Sequence, residues 1–401
     1  MVRRVDATGS AIRFASDRNR IPYRNKRRDG PDADLRALRF AASHAMLNNQ
    51  DSRPQKLPRP HSRDQWSEQR RHMSKARAPR NRTLSLKETD RASLRSRLVT
   101  SDALPNELID KTIWGDCLEL ASRLPRSFAD LLFLDPPYNL NKRFGDTSFA
   151  RRTVLDYADW LGQVLDKLLP VVKPNGTVYI CGDWHTSTSI FAAASTRLTV
   201  RNRITWEREK GRGAKTNWKN ASEDIWFCTL SDDYTFNVEA VKLRRKVIAP
   251  YRNGDGSPRD WDETNDGNFR DTHPSNLWTD ISIPFWSMPE NTDHPTQKSE
   301  KLLAKLILAS TQPGDLVFDP FLGAGTSAVV SRKVGRHFLG IEAIEEYALL
   351  AEKRLEIAKA DSTIQGYAEG VFWERNTIGV INNRSRSTTL VRDEVEQSRL
   401  F

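Results

Sequence analysis

Two short motifs, each at the end of an apolar run, constrain this chain most. Leu131-Leu132-Phe133-Leu134 leads into Asp135-Pro136-Pro137-Tyr138, and Leu316-Val317-Phe318 leads into Asp319-Pro320-Phe321-Leu322-Gly323-Ala324-Gly325-Thr326. Apolar runs of this length, with no polar alternation, read as strands buried on both faces, and such strands belong to parallel sheets. Prolines and glycines directly after a strand make a loop at its C-terminal end, where open parallel sheets bind ligands. Two ligand-facing loops, far apart in sequence, are therefore expected to meet in space.

The surrounding pattern supports that layout. Thr112–Trp114 reads as a strand, followed by a turn at Gly115-Asp116 and a helix carrying Leu118, Leu120, Ala121 and Leu124. Between Val154 and Val172 the residues Leu155, Ala158, Leu161, Val164, Leu165 and Leu168 form one apolar stripe, the mark of a helix packed on one face. Pro174-Asn175-Gly176 is expected to end it, before a strand at Thr177–Cys181. Further strands are expected near 204–206 and 225–229. A helix from Ser299 (a serine N-cap) to Ser310, a strand at His337–Ile341 and a helix over Glu345–Ala358 complete the alternation. The fold class is α/β: a doubly wound, mostly parallel sheet. Residues 207–222 and 231–290, rich in Gly, Asn, Asp, Arg and Trp, read as an irregular insertion; Trp226, Trp278 and Trp286 are expected in the core.

At these motifs the chain resembles the amino-methyltransferases of DNA, which methylate adenine N6 or cytosine N4. The order, Asp-Pro-Pro-Tyr before the glycine loop, is similar to that family's beta class, a circular permutation of the usual arrangement. The resemblance spans roughly residues 108 to 360. It implies a Rossmann-like methyltransferase domain, S-adenosylmethionine as cofactor and double-stranded DNA as partner. It leaves room for a cognate restriction endonuclease, a homodimer and a cytoplasmic location.

The first motif suits the chemistry. An exocyclic amine is a poor nucleophile because its lone pair is delocalised into the ring. Acceptors placed on both of its N–H groups favour a tetrahedral nitrogen with a localised lone pair. Asp135 offers a carboxylate, and the Pro136 carbonyl offers the second acceptor. Pro136 and Pro137 stiffen the loop and carry no N–H of their own. Tyr138 offers a ring to stack on a base taken out of the helix. The resemblance favours adenine, because Asp usually stands first in the motif of N6 enzymes and Ser in that of N4 enzymes. Cytosine N4, or an RNA or protein amide on a similar fold, is the alternative. Cytosine C5 chemistry is disfavoured, because Cys117, Cys181 and Cys228 follow Asp, Ile and Phe rather than proline.

The second motif reads as a cofactor loop. Gly323 and Gly325 permit close approach and positive φ. Glu342, at the end of the next strand, can accept from both hydroxyls of a ribose. The Gly loop and Glu342 alone would also fit a nicotinamide cofactor; Asp319, Phe321 and Thr326, with the first motif, turn the reading to adenosylmethionine. The resemblance adds Thr296 and Lys298, in His294-Pro295-Thr296-Gln297-Lys298, at the methionine end, and Asp116 and Cys117 near the adenine ring. Its members usually have proline after that lysine, where this chain has Ser299.

Nucleic-acid contacts are expected from Lys210, Arg212 and Lys215 in a glycine-rich loop, from Lys219, and from Arg244 and Arg245. Net charge alone is a poor guide to them. The chain carries +11, but residues 1–100 hold 25 Lys+Arg against 10 Asp+Glu, leaving 38 against 42 in the remainder. The excess lies in a segment with little hydrophobic periodicity. The expected organisation is a basic, disordered extension (1–105), a catalytic half (106–206), a target-recognition region (207–290), a cofactor half (291–375) and a polar tail (376–401). The three cysteines make no CxxC pair, the seven histidines are scattered, and no apolar run approaches a membrane span, so disulfide, metal and membrane roles are not expected.

Overall fold

The computed structural model describes residues 77–375, apart from 103, 145–146, 209–215, 249–250 and 266. The extension up to 76 and the tail beyond 375 lie outside the described residues.

A nine-stranded sheet forms the centre, in the spatial order β1-β2-β14-β13-β3-β6-β8-β7-β12. Its strands are β1 (Val99–Thr100), β2 (Lys111–Trp114), β3 (Ala129–Leu134), β6 (Val172–Gly182), β7 (Thr199–Glu207), β8 (Ser222–Thr229), β12 (Leu277–Trp278), β13 (Leu316–Asp319) and β14 (His337–Glu342). All neighbouring pairs are parallel except those made by β8, which runs antiparallel to β6 and β7.

The alternating burial of the strands explains their unbroken apolar sequence. On β3, Leu132 and Leu134 join one core cluster, with Leu161 and Leu165 of α3 (Val154–Leu168) and Ile190 of α4 (Trp184–Ala194). Leu131 and Phe133 join the cluster on the other face, with Leu302, Leu303, Leu306 and Ile307 of α5 (Glu300–Ser310). Helix α5 is buried along its whole length, its Lys301 and Lys305 paired with Asp280 and its Glu300 with Lys333 and Arg354. On the β13 side, α6 (Thr326–Lys333) and α7 (Glu345–Ala360) pack on each other.

Strands β3 and β13 are neighbours, with Leu131 opposite Val317 and Leu132 opposite Phe318. From β13 the chain turns through α6 to β14 on one side. From β3 it turns through α3 to β6 on the other. This is the switch point of a doubly wound sheet, and both motif loops leave from it. The short helix α2 (Cys117–Leu120) leaves β2 at the same edge, and a hairpin, β4–β5 (Lys142–Phe144 and Thr147–Phe149), follows the first motif.

Three features differ from the sequence reading. First, the fold reaches upstream of 105. Helix α1 (Glu88–Arg95) packs on α7, and β1 pairs with β2. Arg91 pairs with Glu346, Arg95 with Glu345, Arg97 with Glu356 and Asp90 with Lys353. Part of the basic excess is thus spoken for by the acidic residues of α7, a pairing that no local periodicity reveals. Second, the insertion is not irregular throughout. Strands β9 (Leu243–Lys246), β10 (Asp262–Thr264) and β11 (Gly267–Thr272) join β15 (Tyr367–Ala368) and β16 (Val371–Trp373) in a second sheet, ordered β10-β11-β9-β16-β15. Trp278 is buried and Trp226 half-buried, but Trp286 is 51% exposed. Third, Pro174-Asn175-Gly176 lies inside β6, beside a register shift opposite Ala129–Leu131, rather than before the strand.

Candidate active site

One cavity of about 370 Å³ lies over the ends of β2, β3, β13 and β14. Asp116, Cys117, Asp135, Pro136, Pro137, Tyr138, Thr296, Lys298, Asp319, Phe321, Gly323, Thr326 and Glu342 all line it. Gly325, one residue behind, does not.

The glycine loop is shaped by backbone demands. Gly323 has φ +54° and Gly325 +78°, a region that costs side-chain-bearing residues of order 1 kcal/mol or more. A Cβ on Gly323 would lie 3.2 Å from His294 Nε2, and one on Gly325 would lie 2.5 Å from the Ala351 Cβ. Gly325 therefore serves the packing of α6 on α7, while Gly323 brings backbone to the cavity wall. Glu342 ties the loop to β14: one carboxylate oxygen accepts from the Gly323 N–H and the other from the Ile344 N–H, each at 2.8 Å. Burial raises the pKa of Glu342.

Asp319 turns the loop's first residue inward. Its carboxylate accepts from the Phe321 N–H at 3.0 Å and the Ser327 hydroxyl at 2.5 Å. Burial pushes its pKa up to about 7, and the neighbouring Asp135 and Glu342 add to the rise. Asp116 caps α2, accepting from the Leu118 N–H at 2.7 Å. Cys117 beside it is buried, its thiol pushed up to about 12 chiefly by desolvation, so it acts as a small apolar wall.

The His294–Lys298 segment is clamped by a residue that sequence reasoning passed over. Gln297 accepts from the N–H and hydroxyl of Thr292 at 2.9 and 2.6 Å, and donates to the Glu290 carbonyl at 2.7 Å. Ser299 stands at the N-cap of α5 but makes no side-chain cap. Glu290 takes that role, accepting from the Glu300 N–H at 2.7 Å. Arg354, on α7, donates to Ala324 O, Thr326 Oγ1 and Glu300 Oε1 at 2.8–2.9 Å and locks the glycine loop to α5. A buried arginine in an amphipathic-looking helix carries no motif, so only the packing exposes its role.

The catalytic loop is held equally firmly. Tyr157 of α3 donates its hydroxyl to the Pro137 carbonyl at 2.9 Å. Asn139 exchanges bonds with the Arg152 backbone at 2.7 and 2.9 Å. Asp135 has two unlike oxygens. Oδ2 accepts from Lys298 Nζ at 2.5 Å. Oδ1 is buried and has no hydrogen-bond partner. A buried, unpaired acceptor costs about 1–3 kcal/mol or more, and calls for a donor to fill it. Tyr138 donates its hydroxyl to Glu223 at 3.2 Å and lies beneath Lys298, whose Nζ is 5.4 Å from the ring centroid. Burial, and then Asp135, raise the Tyr138 pKa well above its ordinary value, so the phenol stays a proton donor.

A family profile described as DNA methylase (N6/N4) matches residues 129–353, more than half of the chain. The chain belongs to the DNA methylase family. Among curated relatives, "DNA adenine methyltransferase YhdJ" of Escherichia coli (strain K12) is 33% identical over 253 residues, covering 61% of this chain and 82% of that protein. "Type II methyltransferase M.HpaI" of Haemophilus parainfluenzae is 30% identical, covering 61% and 74%. Solved structures with a similar fold include the M1.HpyAVI–SAM complex (23% identity, 61% of this chain and 98% of that one, TM-score 0.39). Another is the PvuII DNA methyltransferase described as cytosine-N4-specific (16%, 66% and 92%, TM-score 0.46).

The positions expected to touch DNA fall in different settings on this methylase. Lys210, Arg212 and Lys215 lie outside the described residues. Lys219 is exposed. Arg244 is engaged elsewhere: it bonds Asp271 across the β9–β11 pair through two nitrogens at 2.7 and 2.8 Å, and covers the Trp373 ring. Arg245 lies 3.7 Å from Glu374. Both therefore have a part in holding the second sheet together, and Arg244 is poorly free to meet a phosphate. Among the described residues, no helix is long and apolar enough to cross a membrane.

Proposed function

We propose that this methylase transfers a methyl group from S-adenosylmethionine to the exocyclic N6 of an adenine flipped out of double-stranded DNA. The observation that carries this reading is an unpaired buried acceptor, Asp135 Oδ1, on a residue that lines a cavity also holding an aromatic ring and a glycine loop.

The residues fit the cofactor. Glu342 keeps unused acceptor capacity on both oxygens for ribose hydroxyls, while Asp116 and Cys117 border the place of the adenine ring. Thr296 and the Gly323 loop border the far end of the same cavity. When bound, adenosylmethionine supplies an electrophilic methyl on a sulfonium centre. The protein's part is positioning and electrostatics. Asp135 Oδ1 accepts one N–H of the target amine, and the Pro136 carbonyl accepts the other. Both acceptors oppose delocalisation of the nitrogen lone pair into the ring and draw it towards the methyl. Lys298 fixes Asp135 so that Oδ1, rather than Oδ2, meets the amine. Tyr138 stacks on the base. Lys219 and the loop before it hold the phosphates.

Adenine is favoured by Asp at the first motif position and by the Escherichia coli relative, whose name specifies adenine. The three buried, unbridged cysteines agree with work in a reducing cytoplasm.

The test is transfer of labelled methyl from adenosylmethionine to unmethylated DNA, followed by nucleoside analysis. N6-methyladenine is the expected product. N4-methylcytosine would keep the site's chemistry and change the base. No label in DNA despite bound cofactor would refute the function.

A further inference from the structure

Glu223 does not line the cavity, yet two residues that do, Tyr138 and Lys298, lie against it. It stands at the start of β8 and is 3% exposed. Its Oε2 accepts from the Tyr138 hydroxyl at 3.2 Å and lies 3.6 Å from Lys298 Nζ. Its Oε1 accepts from Arg208, the first residue after β7. The Arg208 N–H donates to the Ala221 carbonyl at 2.7 Å. That bond closes the root of the segment joining β7 to β8. The same segment carries exposed Lys219 and Trp218, the latter 94% exposed.

Four charges are therefore packed together: Asp135 and Glu223 against Lys298 and Arg208. A carboxylate buried as deeply as Glu223 is tolerable only when paired. Here it is paired twice, once towards the site and once towards the connecting segment. Lys298, 7% exposed, is shared between Asp135 and Glu223. Removing the Glu223 charge leaves Lys298 with Asp135 alone and weakens the hold on the Tyr138 hydroxyl.

We propose that Glu223 is a positioning residue that couples Arg208, at the end of β7, to the catalytic loop. The inference rests on the amino-methyl transfer proposed above. Transfer needs the Tyr138 ring and Asp135 Oδ1 held within a fraction of an ångström of the productive geometry. Tyr138 is held by Glu223 directly. Asp135 is held through Lys298. Arg208 sets the position of Glu223 from the end of β7, so a change at Arg208 is felt at both groups.

Glu223→Gln keeps the shape and an acceptor for Tyr138 but removes the charge. Arg208→Gln cuts the link at a side chain that is partly solvent-exposed. The measurement is single-turnover methyl transfer to DNA with cofactor saturating, beside the melting temperature and the Kd of cofactor and of DNA. Each single variant is expected to slow transfer about 30-fold, the scale of one charge-assisted hydrogen bond, with both Kd values within about two-fold of wild type. The double variant is expected to be no slower than the slower single, because the two residues form one path. Wild-type rates in either single variant would overturn the inference. So would losses that multiply, or losses that track melting temperature or cofactor affinity. Should Glu223→Gln fail to fold, Arg208→Gln alone carries the same expectation and the same refutation. A wild-type protein that transfers no methyl to an exocyclic amine would remove the proposed function itself; active wild type with unaffected variants removes only the coupling.

Discussion

Asp135→Asn is the sharpest probe of the site, because its two oxygens have different duties. Lys298 donates to Oδ2 at 2.5 Å, while Oδ1 is buried without a partner. An asparagine has one oxygen and one NH2 to place on those two positions. Lys298 carries only donors, so the amide oxygen must turn to it. The NH2 then occupies the place of Oδ1 and points a donor at the target amine's own N–H. The variant thus loses a charge-assisted acceptor and gains a donor–donor contact. Loss of one preorganised electrostatic partner in a transition state typically costs about 3 kcal/mol, or about two orders of magnitude in rate. The added repulsion makes that a lower bound. Cofactor affinity should change little, since Lys298 keeps a partner. Stability should fall by about 1–2 kcal/mol, less than the usual cost of breaking a buried pair, because Glu223 stands 3.6 Å from the same ammonium. The assay is single-turnover transfer of labelled methyl, with cofactor Kd measured separately. A variant within about ten-fold of the wild-type rate would refute Oδ1 as the acceptor of the amine.

Four further outcomes are expected. Gly323→Asp puts a side chain at φ +54°, 3.2 Å from the His294 ring and beside Glu342; cofactor Kd should rise at least about 30-fold, and unchanged affinity would remove the loop from the site. Asp319 has its pKa raised from 3.8 to about 7, so the folded protein holds a proton that the unfolded chain releases, and stability should fall as pH rises through the window from about 4 to about 7. Melting curves of Asp319→Asn should lose that part of the slope; an unchanged slope would show that Asp319 does not carry it. Lys219→Ala should weaken DNA binding and reduce the salt dependence by about one phosphate contact. Arg244→Ala should instead lower the melting temperature by breaking the Asp271 pair, with DNA affinity and its salt slope unchanged; the reverse pattern in binding titrations would restore Arg244 to the interface.

The two loops were legible in the sequence for a local reason. A strand buried on both faces must be written as an apolar run, and a backbone that turns at positive φ must be written with glycine. Both demands fall on neighbouring residues, so Leu131–Leu134 before Asp135 and Leu316–Phe318 before Gly323 stand out without an alignment. The second sheet was not legible, because β9 finds one of its two partners, β16, more than a hundred residues later, and neither strand is long enough to show a period. The charge balance misled for a similar reason. Arg91, Arg95 and Arg97 read as part of a basic arm, but their counter-charges sit on α7, at the other end of the domain.

A doubly wound sheet with a proline-rich loop and a glycine-rich loop at strand ends is written in the order of the residues, since hydrophobic period and backbone permission are properties of contiguous residues. The wiring of those loops comes from the three-dimensional packing. Which oxygen of Asp135 is left free, that Lys298 and Glu223 stand behind it, and that Arg354 and Glu290 lock the cofactor side all depend on residues brought together from distant parts of the chain. Hydrogen bonds and ion pairs act over a few ångströms of space, and chain order does not record which side chains will come that close.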